Sequence, residues 1–235
     1  MLPTSDPRLD RLPEFDAQSR SFPIRALLSD EQQERPIRSF TWNLPRLPAH
    51  LPGFPLDQGR EGACVGFSWA HELAFRPRPI ASVTDLVALG IYHEAQRLDE
   101  WPGEDYDGTS VLAGAKAVIA RGFMDEYRWA FGLDDLLRAI AYKGPAVLGI
   151  NWYSGMWRPD SEGRIRPTGL LEGGHAILAP RVIGERSPFV EMRRRVYVYN
   201  SWGAGDGWPW GWLNWDDMEV LLHEQGEAVI PVVRK

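Results

Sequence analysis

One cysteine, five histidines and no long apolar run: these shortages narrow a 235-residue chain before any motif is read. A single cysteine leaves no internal disulfide framework and no thiolate metal cluster, and it points to a reducing compartment. A membrane helix needs about 20 consecutive apolar residues, and no stretch approaches that length. Met1 to Arg8 lacks the basic segment and apolar core of a secretory signal, so none is expected. Positive charge is also short. Lys and Arg number 26 against 32 Asp and Glu, a formal net charge of −6, which argues against nucleic acid or an anionic membrane as partner. No histidine has a His or Cys at ligand spacing, and Asp216-Asp217 reads as a helix start favoured by the dipole. The acidic loop Glu100 to Asp107 does not follow the spacing of a calcium-binding EF-hand. The expectation is therefore no metal and no cofactor.

What is present suffices for a core: 44% of residues are hydrophobic and 25% charged. The chain divides by grammar into three parts. Residues 1–56 carry Pro3, Pro7, Pro13, Pro23, Pro36, Pro45, Pro48, Pro52 and Pro55, which forbid a long helix. They read as an extended arm with room for one helical turn from Ser29 to Arg35; composition leaves open whether the arm covers a groove as a lid or only straps the body. Residues 57–144 read as helical. Phe67, Ala70, Leu73 and Ala74 share a face after Cys64, and Ser82-Val83-Thr84-Asp85 resembles a capping signature before Leu86, Leu89, Tyr92 and Ala95. Thr109 or Ser110 opens a third helix that stops at Gly122, and Gly132 to Lys143 makes a fourth. After Pro145 the pattern shifts to short strands at Ala146–Tyr153, His175–Ile183, Arg193–Tyr199, Gly211–Trp215 and Ala228–Val233, with a short helix from Asp216 to His223. Helices followed by strands predict an α+β fold with a helical lobe, a β-rich lobe at residues 145–235 and a groove between them.

The lone cysteine sits at the start of a helical pattern, after Gly59 and Gly62. Free N–H groups and the partial positive charge of a helix N-terminus stabilise a thiolate, the nucleophilic form of cysteine. Such a nucleophile needs a base, a group that orients the base, and a donor for the oxyanion. His71 lies about two helical turns beyond Cys64, too far along the axis to touch it, and His50, His71, His93 and His223 all read as surface or half-buried residues. His175 differs because it follows Gly173-Gly174 and opens a strand. Asn200 ends the next strand, from which it could accept the second N–H of the imidazole. Gln58, six residues before Cys64, carries an amide that could donate to an oxyanion beside the Cys64 N–H.

The order Gln58, Cys64, His175, Asn200 resembles the papain-like cysteine peptidases. Glu61-Gly62-Ala63-Cys64-Val65 is similar to that family's cysteine signature, with the glycine, alanine and nucleophile in place. Gly174-His175-Ala176, Asn200-Ser201-Trp202-Gly203, Gly207-Trp208 and Gly211-Trp212 extend the likeness over roughly residues 55 to 230. It departs in having Glu61 for a disulfide-bonding cysteine, Val65 for an aromatic, remodelled loops and no long helical pro-segment, which suits a compact bacterial or phage-like branch.

The resemblance implies a two-lobed fold with a β-barrel-like second lobe, and a cysteine endopeptidase acting on peptide or protein substrates, cytoplasmic or virion-associated. It assigns Cys64 and His175 as a thiolate–imidazolium pair, Asn200 as the orienting group, Gln58 as oxyanion donor and Trp202 as shield of the Asn200–His175 bond and part of the substrate groove. Gly149 and Ala176 would floor the main specificity pocket and leave room for a bulky apolar side chain. Acyl transfer by the same dyad, and a non-catalytic structural or binding module on the same fold, are the competing readings.

Overall fold

The computed structural model describes residues 6–37, 39–42, 55–75, 77–80, 82–103, 105–184, 194–205 and 207–234. His50 and the prolines at positions 3, 45, 48 and 52 lie outside them. Along the chain run α1 (Asp30–Glu34), β1 (Phe40–Thr41), α2 (Cys64–Ala74), α3 (Asp85–Leu98), α4 (Val111–Ala120), β2 (Met124–Trp129), α5 (Leu133–Tyr142), β3 (Ala146–Tyr153), β4 (Leu171–Ile183), β5 (Arg195–Tyr199), β6 (Trp210–Asn214), α6 (Trp215–His223) and β7 (Glu227–Arg234). The sheet order is β2-β7-β3-β4-β5-β6, with β1 on the end of β4, and every strand pair is antiparallel.

Helix α2 is the centre of the helical part. All eleven of its residues are buried, including Ser68, His71 and Glu72. A helix apolar on one stripe lies on a surface; one buried all round is enclosed on every side. Here α3 and α4 cover one flank and β4 another. Gly66 permits the close crossing with α3, since a Cβ there would collide with the Ala88 carbonyl and with Tyr92. His71, expected near the surface, is fully buried and meets the Tyr199 ring edge-on at 4.7 Å. His93 and His223 are exposed as expected.

Local signals mostly set the helix ends. Ser29 closes a capping box on α1, and Ser110 accepts from the Ala113 N–H to open α4. Thr84 precedes α3 without a side-chain cap, and Asp85 instead accepts from the Asp57 N–H at 3.1 Å. Strand alternation then divides β4 between two cores. Ala176 and Leu178 face the α2 cluster, whereas Ile177 and Ala179, and Val182 beyond a register shift between Leu178 and Arg181, face a second cluster built with α5, α6 and the tryptophans. Strand β2, which the sequence reading passed over, adds to the far edge of the sheet by pairing with β7.

Candidate active site

Cys64 is the first residue of α2, and strand β4 places Ala176 against it in the same buried cluster. One residue earlier, the alternation turns His175 to the opposite face. There its ring packs between Trp152 (centroids 4.8 Å) and Trp202 (5.0 Å). Nε2 of His175 bonds to Asn200 Oδ1 at 2.8 Å, and the same oxygen accepts from the Ser201 N–H at 2.9 Å. A backbone N–H can only donate, so the oxygen end of the Asn200 amide must face both groups. The proton of a neutral His175 is then on Nε2, and Nδ1 is the basic nitrogen.

The bonding continues to the glutamine. Ser201 Oγ donates to Gln58 Oε1 at 2.6 Å, and the Ser201 carbonyl accepts from the Gln58 N–H at 2.9 Å. The Gln58 amide nitrogen donates to the Glu61 carbonyl at 2.8 Å and reaches the Arg8 carbonyl at 3.4 Å. Gln58, His175 and Asn200 are buried, and Trp202 is nearly so, stacked on Trp157 at 5.2 Å. The structure thus joins Gln58, His175 and Asn200 through Ser201, whose part sequence reasoning missed although it stood inside the Asn200-to-Gly203 block.

The N-terminal arm lies across this site. The Arg11 N–H donates to the Gly174 carbonyl and the Leu12 N–H to the Thr109 carbonyl, each at 3.0 Å, so the chain runs between the residue before His175 and the residue before the α4 cap. A Cβ at Gly174 would collide with the Arg11 carbonyl, and one at Gly62 would stand 2.7 Å from the Asp10 carboxylate. These glycines provide the room in which the arm lies. Arg8 is held by Asp6 in a two-point bond (2.9 and 2.7 Å), and its guanidinium lies over Trp202 and Trp157 at 4.7 and 5.1 Å. The same tryptophans and Arg8 border an open cleft of 430 Å³.

Burial beneath the arm sets the protonation states. The Cys64 thiol is pushed up to about 12 by burial, against the pull of the Ala176 backbone and of Arg11. His175 is pushed down to about 4, again chiefly by burial, with the Asn200 bond and the Arg8 backbone opposing. At neutral pH the covered site therefore holds a thiol and a neutral imidazole.

Two further buried groups bear on stability. His71 is lowered to about 3 and Glu227 raised to about 7, both by burial. The two histidines stay neutral in the fold but protonate near pH 6.5 when unfolded, so their contribution is lost as pH falls from 6.5 to about 4. Glu227 acts oppositely, with stability lost as pH rises from 4.5 to 7. Two histidines outweigh one carboxylate, leaving uptake of about one proton on unfolding near pH 5.5. Urea titrations should show stability falling by about 1 kcal/mol in all between pH 7 and pH 5.5, with the slope steepening toward the acid end. A rise would contradict the burial of these histidines.

No group of His, Cys, Asp and Glu able to hold a metal ion occurs among the described residues, and none of their helices is long and apolar enough to cross a membrane.

A cysteine at a buried helix N-terminus, a histidine on β4 bonded to an asparagine just past β5 and an antiparallel sheet beside three helices define the α+β, papain-like fold. Solved structures bear this out. The chain is similar to xylellain, a cysteine protease from Xylella fastidiosa (18% identity, TM-score 0.71, covering 100% of this chain and 99% of that one). It also resembles procathepsin L 3 of the Tenebrio molitor larval midgut (12%, TM-score 0.59, 97% and 77% covered) and procathepsin B S9 from Trypanosoma congolense (13%, TM-score 0.55, 97% and 87% covered). Comparison with protein-family models and with curated protein sequences finds no match.

Proposed function

We propose that the chain is a cysteine endopeptidase whose nucleophile is Cys64 and whose acid–base group is His175. The observation that carries the reading is the hydrogen-bonded chain His175–Asn200–Ser201–Gln58 beside a cysteine at a helix N-terminus. A merely structural histidine needs no asparagine aimed at Nε2 to leave Nδ1 basic. The nearness of the Arg8 carbonyl to the Gln58 amide also supports it, because a substrate carbonyl would be polarised in that place.

Once the arm is displaced, water reaches the cysteine and the burial that keeps both groups neutral is relieved. Cys64 passes its proton to His175 Nδ1, forming the thiolate–imidazolium pair. The sulfur attacks the peptide carbonyl carbon, and the Gln58 amide and the Cys64 N–H hold the oxyanion. Collapse of the intermediate breaks the C–N bond, and His175 gives its proton to the leaving amine. Water, deprotonated by His175, then releases the acyl group and returns Cys64. Trp202 covers the Asn200–His175 bond and strengthens it by excluding water.

The test is a stopped-flow measurement with peptide nitrophenyl esters on the full chain carrying Arg8→Ala/Arg11→Ala, which removes the two arm guanidiniums that lie over Trp202 and beside Glu227. The expected result is a burst of one nitrophenol per Cys64 followed by slower turnover, absent in the same protein with Cys64→Ala. No burst from any ester would favour a non-catalytic module. Added amines that divert the acyl group in preference to water would favour acyl transfer.

A further inference from the structure

Helix α2 covers one face of the sheet as far as Tyr199, against which Phe75, just past the helix end, packs edge-on at 5.5 Å. Farther along the strands the same face carries a row of paired residues. Arg181 on β4 stands opposite Tyr197 on β5, Tyr197 opposite Trp212 on β6, and Arg164 beside Trp212. Val182, Val196 and Leu213 alternate with them and enter the core on the other side, so the row faces outward. Each ring lies under a guanidinium: Arg181 over Tyr197 at 4.3 Å, and Arg195 and Arg164 over Trp212 at 3.7 and 5.7 Å. Arg195 also donates to the Tyr197 hydroxyl at 3.4 Å. Other arginines sit against carboxylates, Arg25 on Asp134 and Asp135, Arg121 on Glu94 and Arg166 on Asp160. Arg164 keeps Asp217 at 2.9 Å. Arg181 and Arg195 have no carboxylate partner among the described residues, although the chain holds more acidic than basic groups.

We propose that this sheet face docks an extended acidic segment of a partner protein, whose carboxylates bond the guanidinium edges of Arg181, Arg195 and Arg164. Stacking occupies the flat face of each guanidinium and leaves its edge, where the N–H groups lie, to a planar acceptor. The rings also hold the arginines in place, so little side-chain freedom is left to lose on binding. Spacing favours an extended guest. Three strand spacings separate Arg181 from the Arg164 segment, roughly 14 Å, and an extended chain covers about that length in four residues. Acidic residues at alternate positions of such a segment therefore meet the row in register. Trp210, 42% exposed on the same face two residues before Trp212, adds an apolar anchor beside the charges. A nucleic-acid strand fits less well, because its charge repeats at every unit and would press further phosphates against a chain of net charge −6. The proposal goes beyond the peptidase reading and does not depend on it, since His175 lies nearer the other end of β4 and on its other face.

The experiment titrates fluorescein-labelled peptides into the full-length, unsubstituted protein by fluorescence polarisation. One peptide has aspartates alternating with serines, a second has the same residues with the aspartates consecutive, and a third has asparagine for every aspartate. The alternating peptide is expected to bind about tenfold more tightly than the asparagine peptide and about threefold more tightly than the consecutive one. Arg181→Gln/Arg195→Gln should abolish both preferences. Arg158→Gln, which removes an exposed arginine at the cleft beside Trp157, should keep them. Should the double variant fail to fold, Arg181→Lys takes its place: it keeps the charge, loses the planar fork and should lessen the preference for alternate spacing. Equal binding of the aspartate and asparagine peptides, or of the two aspartate spacings, would overturn the proposal. So would preferences lost in Arg158→Gln but kept in Arg181→Gln/Arg195→Gln, or a labelled single DNA strand of equal charge that binds more tightly than the alternating peptide.

Discussion

Replacing His175 by alanine in the Arg8→Ala/Arg11→Ala protein is expected to lower peptide hydrolysis by about 10³-fold, the range for loss of a positioned acid–base group. Two functions are removed together: acceptance of the thiol proton and protonation of the leaving amine. The pH profile should separate this from damage to packing. The protein that retains His175 should keep a reactive thiolate well below pH 7, whereas the His175→Ala protein should alkylate with the titration of an ordinary thiol near 8.5. His175 fills space between Trp152 and Trp202, so a structural effect is also expected from alanine. His175→Asn, closer in size, should restore packing but not the low-pH reactivity. If alkylation keeps the same pH profile in all three proteins, the assignment of His175 fails.

The second large effect concerns the unsubstituted chain. With the thiol pushed up to about 12, the thiolate fraction at pH 8 is about 10⁻⁴, against roughly a quarter for a free cysteine. Iodoacetamide should therefore modify Cys64 about 10³-fold more slowly in the unsubstituted protein than in Arg8→Ala/Arg11→Ala. The sign follows from the direction of the shift: a raised thiol pKa leaves less thiolate at any pH below it. The slow rate should climb about tenfold per pH unit through pH 10, while the substituted protein reaches a plateau. Equal rates, or a fast reaction in the unsubstituted chain at pH 7, would show that the arm does not guard the cysteine.

Much of the fold could be read along the chain because its signals are local. Cys64 at a helix start, the glycines before His175, the Ser110 cap and the alternation in β5 each depend on a few neighbouring residues. What escaped depends on partners far away in sequence. Met124 to Trp129 carries Asp125, Glu126 and Arg128 and shows little apolar pattern, yet β7 gives it a ladder a hundred residues later. His71 seemed exposed because the helix was assigned one apolar face, whereas contacts from β4 and Tyr199 enclose the other. The row Gly149, Ala176 and Glu227 across three strands was half legible. Gly149 and Ala176 were found as small residues, but Glu227 follows Gln225-Gly226 and reads alone as part of a polar turn. The signal available was an acidic residue leading directly into the apolar run Ala228 to Ile230. Arg11 gave none, since an arginine among prolines looks solvated until the register of the arm against Gly174 is known.

The arm's place in the groove also has a kinetic consequence. A guest joined to its own pocket by the peptide chain competes at an effective concentration fixed by the tether, in the millimolar range for a short flexible connection. Dilution cannot release it, because closing is unimolecular. In the proposed peptidase an outside peptide must outcompete this built-in rival molecule by molecule, so turnover at low substrate would report how often the arm lifts, while the intrinsic affinity of the groove would emerge only at saturation.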